Sequence, residues 1–346
     1  MFACSDIIFY DTLANLSISL PVDNNPKVCY SLIVKTKDLL GLKELTADEI
    51  GEILDLSAEM KQLLLSGHKK STRMAGKNVA HAFYEPSTRT AVSFDEAAKI
   101  LGAVSCGMSV ANSAAAKKGE NLMDTAKVLS AMKFDVIVIR HQSAGAPHFI
   151  AKHVTASVVN AGDGRNEHPT QALLDMLTMK ERFGKLKGLK VAIVGDVKNS
   201  RVARSNIYGL SKMGAEIRIA CPDTLLFSGS DDMSKNYSVK FFTNPEDAVR
   251  DADVVMALRL QLERMSGGLV PSIAEYHTLY GVDDRLLSFA KKDCLVMHPG
   301  PVNRGVELAT SVMDSERSLI DDQVTSGVAV RMAVLTLLTG CKEVRP

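Results

Sequence analysis

Hydrophobic residues along the chain alternate between a spacing typical of helices and one typical of strands. Residues 46–66 place apolar side chains on one helical face, and residues 169–183 also form a predicted helix that ends at a glycine. Between helical stretches, short apolar runs typical of buried strands recur at 79–83, 103–108, 136–139, 157–160, 191–194, 216–220, 254–258 and 295–297. Strands that alternate with helices indicate parallel sheets with right-handed crossovers. We therefore predict an α/β fold.

The chain has 346 residues, more than one hydrophobic core usually covers, so we expect two domains, each a parallel β-sheet flanked by helices. A final helix at 328–338 has no strand of its own to cover in the second series, and we expect it to return to the first domain. The predicted first domain is 38–170 plus 322–346, and the second is 171–321. Residues 1–37 have no clear period and contain loop-forming Pro and Asn. We predict that they form an N-terminal extension, either disordered or an artefact of upstream translation.

Composition narrows the classes of partner. The 41 Lys and Arg nearly balance the 40 Asp and Glu, which argues against nucleic acid or a membrane surface as a partner. No apolar run approaches the roughly 18 residues of a membrane span, and the first twenty residues lack the basic start of a secretion signal. The six cysteines contain no CxxC pair, so we expect free thiols in the cytoplasm and no metal site.

The segment 84–90, Tyr-Glu-Pro-Ser-Thr-Arg-Thr, links a predicted strand to a predicted helix. The free N–H groups and the dipole of a helix start favour an anion. Ser87, Thr88 and Thr90 add hydroxyl donors, and Arg89 adds a full charge. The segment therefore predicts an anion site, most naturally for phosphate. The plainer interpretation is a helix cap beside a solvated arginine.

Other polar side chains follow other predicted strands, where ligands of open α/β sheets bind. They are Arg140, His168, Gln171, Arg201, Arg259 and Gln261, and the run that contains Pro299 and Gly300 follows the last predicted strand in the same way. Taken singly, Arg140 suits a surface charge, His168 a helix cap and Gln171 an exposed helix face. Their shared position at the carboxyl ends of strands is the stronger evidence for one site.

Two of these clusters favour particular ligands. Arg259 and Gln261 alternate at a strand end, so they share a face and suit a carboxylate. The Val-Gly-Asp at 194–196 invites a dinucleotide interpretation, but the glycines of that fingerprint are absent from 198–201. We therefore predict no nicotinamide or flavin cofactor, and Arg201 suits a second carboxylate instead.

With these residues in place, the chain resembles the aspartate/ornithine carbamoyltransferase family, and more narrowly the catalytic chains of its aspartate-specific members. The resemblance covers roughly residue 38 to the C-terminus. Ornithine-specific members carry His-Cys-Leu-Pro where this chain has His-Pro-Gly-Pro. The stretches that carry the resemblance are Tyr-Glu-Pro-Ser-Thr-Arg-Thr (84–90), Lys-Lys-Gly-Glu (117–120), His-Pro-Thr-Gln (168–171), Arg-Leu-Gln (259–261) and His-Pro-Gly-Pro-Val-Asn-Arg-Gly (298–305).

The resemblance implies transfer of a carbamoyl group from carbamoyl phosphate to L-aspartate, with no metal and no cofactor. It assigns carbamoyl phosphate to Ser87, Thr88, Arg89, Thr90, Arg140, His168, Gln171, Pro299 and Gly300. Within that set the implied catalytic residues are Arg89, Thr90, Arg140, His168 and Gln171. The implied aspartate ligands are Lys118, Arg201, Arg259 and Gln261. The family also implies a homotrimer with shared sites, in which Lys118 reaches a neighbouring subunit, and leaves open a regulatory chain or a dihydroorotase as partner.

One position departs from the family pattern. Ala114 stands four residues before Lys118, where the family usually has Ser, and Ser113 lies beside it. Loss of one hydrogen bond to a charged ligand costs on the order of 1.5–3 kcal/mol, which would weaken binding without abolishing turnover. Two alternatives stay open: a carbamoyltransferase with another amine acceptor, and a non-catalytic homologue that acts as a scaffold, which only Ala114 favours.

Overall fold

A computed structural model describes residues 36–67, 70–109, 121–264 and 268–340. The first sheet is fully parallel, with strand order β2-β1-β3-β4. Its strands are β1 (Asn78–Phe83), β2 (Val104–Ser109), β3 (Val136–His141) and β4 (Ser157–Asp163). The helices in this half of the chain are α1 (Ala47–Leu65), α2 (Thr88–Ile100), α3 (Leu122–Ala131) and α4 (Ala146–Ala151).

The second sheet is also parallel, with strand order β7-β6-β5-β8-β9. Its strands are β5 (Lys190–Val194), β6 (Glu216–Ala220), β7 (Val239–Phe242), β8 (Val254–Ala257) and β9 (Leu295–Met297). The helices are α5 (Pro169–Phe183), α6 (Arg201–Lys212), α7 (Ser230–Asn236), α8 (Pro245–Val249), α9 (Ile273–Tyr280), α10 (Asp284–Leu287), α11 (Thr310–Met313) and α12 (Ile320–Leu338), with short 3-10 turns at Asp223–Leu225 and Leu262–Arg264. The predicted fold of two parallel sheets flanked by helices is confirmed.

Two helices lie within one residue of their predicted bounds because their ends carry strong local signals. Thr46 caps α1, and Glu49 completes a reciprocal capping box with it. Pro169 occupies the first turn of α5, and Gly184 ends that helix with φ 71°. These signals involve neighbouring residues only, so tertiary packing is not needed to place them.

The last helix, α12, begins at Ile320, eight residues earlier than predicted. Its first turn is polar and its N-cap, Leu319, makes no side-chain hydrogen bond, which explains why the start was missed. The helix packs against α1, α2 and α5, so its predicted return to the first domain is confirmed. Lys61 of α1 reinforces this packing by contacting Glu181 and Ser326.

The sequence also failed to predict β7. This strand has four residues, pairs only with β6 at the edge of the sheet, and carries exposed Lys240 in its centre. An apolar run so short and interrupted gives no clear period. None of the described helices is both long and apolar enough to cross a lipid bilayer.

Two leucines of α1 test the packing of this helix. Leu54 is fully buried, whereas Leu65 is 62% exposed. We expect Leu54→Ala to lower the free energy of unfolding by about 2–5 kcal/mol, because it opens a cavity in the core. The matched Leu65→Ala change should stay within about 0.5 kcal/mol. Urea denaturation measures the free energy of unfolding of both variants. Equal losses would contradict the difference in burial between the two leucines.

Candidate active site

Every described residue that the sequence nominated lines one cavity of about 1420 Å³. The cavity lies where carboxyl ends of strands from both sheets face each other. Lys118, Ser113 and Ala114 fall outside the described residues. The nominated residues in the lining are Ser87, Thr88, Arg89, Thr90, Arg140, His168, Gln171, Arg201, Arg259, Gln261, Pro299 and Gly300.

The start of α2 has the features of an anion site. Ser87 is the N-cap, yet its side chain makes no capping hydrogen bond; its hydroxyl donates to Thr90 Oγ1 at 3.0 Å instead. No side chain therefore caps the first N–H groups of α2, and they are oriented as an anion requires. This arrangement speaks against the plainer interpretation of the segment as a helix cap.

Arg89 lies against the loop that follows β9. A Cβ atom built on Gly300 would lie 2.7 Å from three atoms of the Arg89 guanidinium, so only glycine allows this approach. Gly300 has φ 64°, and its N–H donates to His298 Nδ1 at 2.8 Å, which fixes the turn. Burial, together with the charge of Arg259, lowers the pKa of Arg89, but a guanidinium remains charged near neutral pH.

Glu85 lines the cavity, but the sequence did not nominate it. Its Oε1 accepts from Arg140 at 3.0 Å, Arg201 at 2.7 Å and Arg264 at 3.0 Å. Burial alone would raise the pKa of Glu85, but the hydrogen bond from Arg201 and the charges of the three arginines lower it. The only local signal was a carboxylate inside an otherwise anion-binding segment.

The arginines nominated for carboxylates bind protein carboxylates in this structure. Arg201 donates through both Nη atoms to Glu85, and Arg259 binds Glu263 at 2.7 and 3.2 Å. Gln261 donates its amide to Asn199 O at 3.0 Å. Both guanidinium groups are thus already oriented for a planar carboxylate.

His168 is a neutral donor. It is buried at the N-cap of α5, where its backbone N–H donates to Ser205 Oγ at 2.9 Å. Burial, followed by the charges of Arg140, Arg201 and Arg331, holds the pKa of His168 well below its usual value. A neutral imidazole offers one N–H donor and cannot act as an imidazolium acid.

Asp175 lies one helical turn beyond Gln171 and is fully buried. Its Oδ1 accepts from Gln171 at 3.1 Å and from Gln323 at 2.8 Å, while Oδ2 accepts from Asn206 at 2.8 Å. Burial raises the pKa of Asp175 to about 6, against the opposing effect of these hydrogen bonds. The i, i+4 spacing to Gln171 was the one signal in the sequence that could have identified it.

Comparison with known proteins places both halves of the chain in the same group. Residues 37–181 match the family described as aspartate/ornithine carbamoyltransferase, carbamoyl-P binding domain, and residues 187–338 match its Asp/Orn binding domain. The chain is 57% identical over 308 residues to the aspartate carbamoyltransferase catalytic subunit of Acetivibrio thermocellus. That match covers 89% of this chain and 97% of the relative.

Solved structures agree with the fold. The ornithine carbamoyltransferase of Pyrococcus furiosus is similar with a TM-score of 0.79 at 31% identity, over 88% of this chain and 98% of that one. The aspartate transcarbamoylase of Trypanosoma cruzi in complex with carbamoyl phosphate and aspartate is similar with a TM-score of 0.78 at 27% identity. That match covers 86% of this chain and 95% of the other.

The contact between Gly300 and Arg89 can be tested with a second glycine of the same loop. Gly305 also has positive φ, 75°, but a Cβ there would meet no described atom within 4 Å. Gly300→Ala should displace the Arg89 guanidinium and raise the Kd for inorganic phosphate about tenfold or more. Gly305→Ala should bind phosphate as the unchanged protein does. Titration calorimetry compares the two, and equal affinities would show that Arg89 does not depend on Gly300.

Proposed function

The chain belongs to the aspartate/ornithine carbamoyltransferase family, and on that premise we propose that it transfers the carbamoyl group of carbamoyl phosphate to L-aspartate. The products are N-carbamoyl-L-aspartate and phosphate, a step of pyrimidine biosynthesis. The observation that carries this proposal is one cavity that joins an uncapped helix start to paired arginines suited to carboxylates.

Carbamoyl phosphate would be held at both of its ends. The first turn of α2, with Ser87, Thr88, Arg89 and Thr90, would bind the phosphate through N–H, hydroxyl and guanidinium donors. Gln171 would accept from the carbamoyl amide, and the backbone carbonyls of Pro299 and Gly300 would do the same. The carbamoyl carbon would then lie between the two substrate subsites.

Catalysis would rest on hydrogen-bond donors to the carbamoyl oxygen. The aspartate amine attacks the carbamoyl carbon, a C–N bond forms, and the C–O bond to phosphate breaks. Negative charge develops on the carbonyl oxygen, where Arg140, His168 and Thr90 would donate; such preorganised donors contribute about 3–4 kcal/mol each. The leaving phosphate accepts the amine proton, so neutral His168 need not act as a base.

The acceptor subsite favours a dicarboxylate over a cationic amine. Arg201 and Arg259, with Gln261, would bind the two carboxylates of aspartate. Glu85 and Glu263, two of the carboxylates that line the cavity, are bonded to arginines and are poorly placed to bind the second amine of ornithine.

We propose further that the protein is a cytoplasmic homotrimer with shared active sites, to which Lys118 of a neighbouring subunit contributes. Edge strand β2, which directly precedes the segment with Lys118, exposes Val104, and nearby α2 exposes Val92. An exposed apolar edge of this kind supports contact with a second copy. The described cysteines are free thiols, which supports a reducing compartment. A regulatory chain or a dihydroorotase is the candidate partner outside the trimer.

The reaction itself is the first test. We expect the protein to form N-carbamoyl-L-aspartate from carbamoyl phosphate and L-aspartate, and no citrulline when L-ornithine replaces aspartate. Arg89→Ala should abolish turnover, because it removes the only full charge that the start of α2 supplies. Product analysis by chromatography decides the matter: turnover with ornithine alone, or an Arg89→Ala variant at full rate, would refute the proposal.

Arg259 tests the acceptor subsite separately from the phosphate site. Arg259→Ala should raise the KM for aspartate by about tenfold or more and leave the KM for carbamoyl phosphate nearly unchanged. Arg285 is a matched control because it does not line the cavity. It forms an ion pair with Glu246 at 2.7 Å, the same distance as that between Arg259 and Glu263. Steady-state kinetics of both variants provide the comparison. A change confined to carbamoyl phosphate would contradict the assignment.

A further inference from the structure

A single buried carboxylate connects three elements beneath the cavity. Asp175 belongs to α5, and the amides that donate to it come from Gln171 on α5, Asn206 on α6 and Gln323 on α12. Gln171 and Gln323 both line the cavity, whereas Asp175 and Asn206 lie behind it. The carboxylate is therefore placed to act on the site through its neighbours.

The chemistry of the carboxylate decides which way the two glutamines face. An ionised carboxylate accepts hydrogen bonds and donates none, so each glutamine must present its NH₂ group to Asp175. The amide oxygen of each glutamine is consequently aimed away from Asp175. Without this partner, the Gln171 amide could turn over and exchange its donor and acceptor.

The two oriented oxygens serve different parts of the same subsite. Gln171 keeps its Oε1 for an N–H donor of the ligand, which the carbamoyl NH₂ group supplies. Gln323 Oε1 accepts from the backbone N–H of His298 at 3.0 Å. His298 Nδ1 in turn accepts from the Gly300 N–H, so this path ends at the loop of Pro299 and Gly300, which lines the cavity.

We propose that Asp175 is a positioning residue that makes the subsite selective for a carbamoyl group by fixing the amide orientations of Gln171 and Gln323. The inference rests on the proposed function, because the carbamoyl group is the ligand that the oriented acceptors fit. Asp175 need not touch the substrate. Its effect falls on the carbamoyl end of the ligand, whereas the start of α2 recognises the phosphate end.

The surroundings of Asp175 keep it an acceptor at neutral pH. Its pKa is raised to about 6 by burial, which still leaves the carboxyl group ionised at pH 8. The charged group that acts on it is Arg331 of α12; its three hydrogen-bond partners are neutral amides.

The test compares carbamoyl phosphate with inorganic phosphate by titration calorimetry at pH 8. Asp175→Ala should raise the Kd for carbamoyl phosphate about tenfold to a hundredfold and change the Kd for phosphate less than about twofold. Asn206→Ala is the matched control: it removes a partner of the same carboxylate and should leave the ratio of the two Kd values unchanged. The proposal would be overturned if Asp175→Ala raised the Kd values of both ligands equally. It would also be overturned if Asn206→Ala changed the ratio of the two Kd values as much as Asp175→Ala does.

A second pair of variants does not depend on the folding of Asp175→Ala. Asp175→Asn keeps Oδ1 as an acceptor for both glutamines. Asn206, whose Oδ1 has no hydrogen-bond partner among the described residues, can turn over and accept from the new NH₂ group in exchange for its bond to Val202 O. In this variant, the ratio of the Kd for carbamoyl phosphate to the Kd for inorganic phosphate should stay within about threefold of the ratio in the unchanged protein. Gln171→Glu sets a carboxylate against Asp175 and should lose selectivity about tenfold; Asp175→Asn added to it should recover at least part of that loss. Additive effects without recovery would refute the proposal.

These measurements separate the inference from the reaction. Calorimetry requires no turnover, so an unchanged protein that binds carbamoyl phosphate but forms no N-carbamoyl-L-aspartate would refute the proposed function alone. A protein that turns over, with a Kd ratio insensitive to Asp175→Ala, would refute the positioning role alone.

Discussion

The cavity depends on one carboxylate, that of Glu85. Arg140 lies in β3 of the first sheet, whereas Arg201 begins α6 and Arg264 ends a 3-10 turn, in segments that follow strands of the second sheet. All three guanidinium groups donate to the same oxygen. Without a counter-charge these cations would repel one another strongly, because burial weakens the screening that water provides. The pKa of Glu85 is lowered by its three arginines against the effect of burial. The pKa of Arg140 falls to about 9 chiefly through burial, which shows how far its guanidinium is withdrawn from solvent. Glu85 thus allows two sheets to bring positive charge to one place before any substrate binds.

The same pairing bears on how an acidic acceptor would enter. Arg201 and Arg259 already bind carboxylates, so a dicarboxylate substrate would exchange one carboxylate for another or share the guanidinium with it. An exchange of like groups gains little affinity from charge alone, since one ion pair replaces another. Its benefit is geometric: each guanidinium is held in the bidentate orientation that a carboxylate needs, so less side-chain freedom is lost when the substrate binds. Binding energy can then serve to orient the amine toward the carbamoyl carbon.

The sequence predicted those parts of the molecule that depend on neighbouring residues. Strand ends, the capping signals of α1 and α5, and polar side chains after strands are local, and the rule that ligands bind beyond strand ends turned them into one site. Glu85 and Asp175 were missed because their roles depend on partners far along the chain. Glu85 meets Arg264 across 179 residues, and Asp175 meets Gln323 across 148. No local spacing encodes such pairs. The start of α12 and the short edge strand β7 were missed for a different reason, because their local signals are weak.

The pKa values of Glu85 and Asp175 are shifted in opposite directions. Full positive charges surround Glu85 and lower its pKa, so its contribution to stability is present above its ordinary pKa and is lost as pH falls. Neutral amides surround Asp175, and its pKa rises from 3.8 to about 6. Keeping it ionised at neutral pH therefore costs on the order of 3 kcal/mol of folding free energy, a cost that shrinks as pH falls below 6. Amides give direction to a carboxylate without neutralising it. A buried charge that lowers stability while it orients two side chains of the cavity is explained better by recognition than by folding.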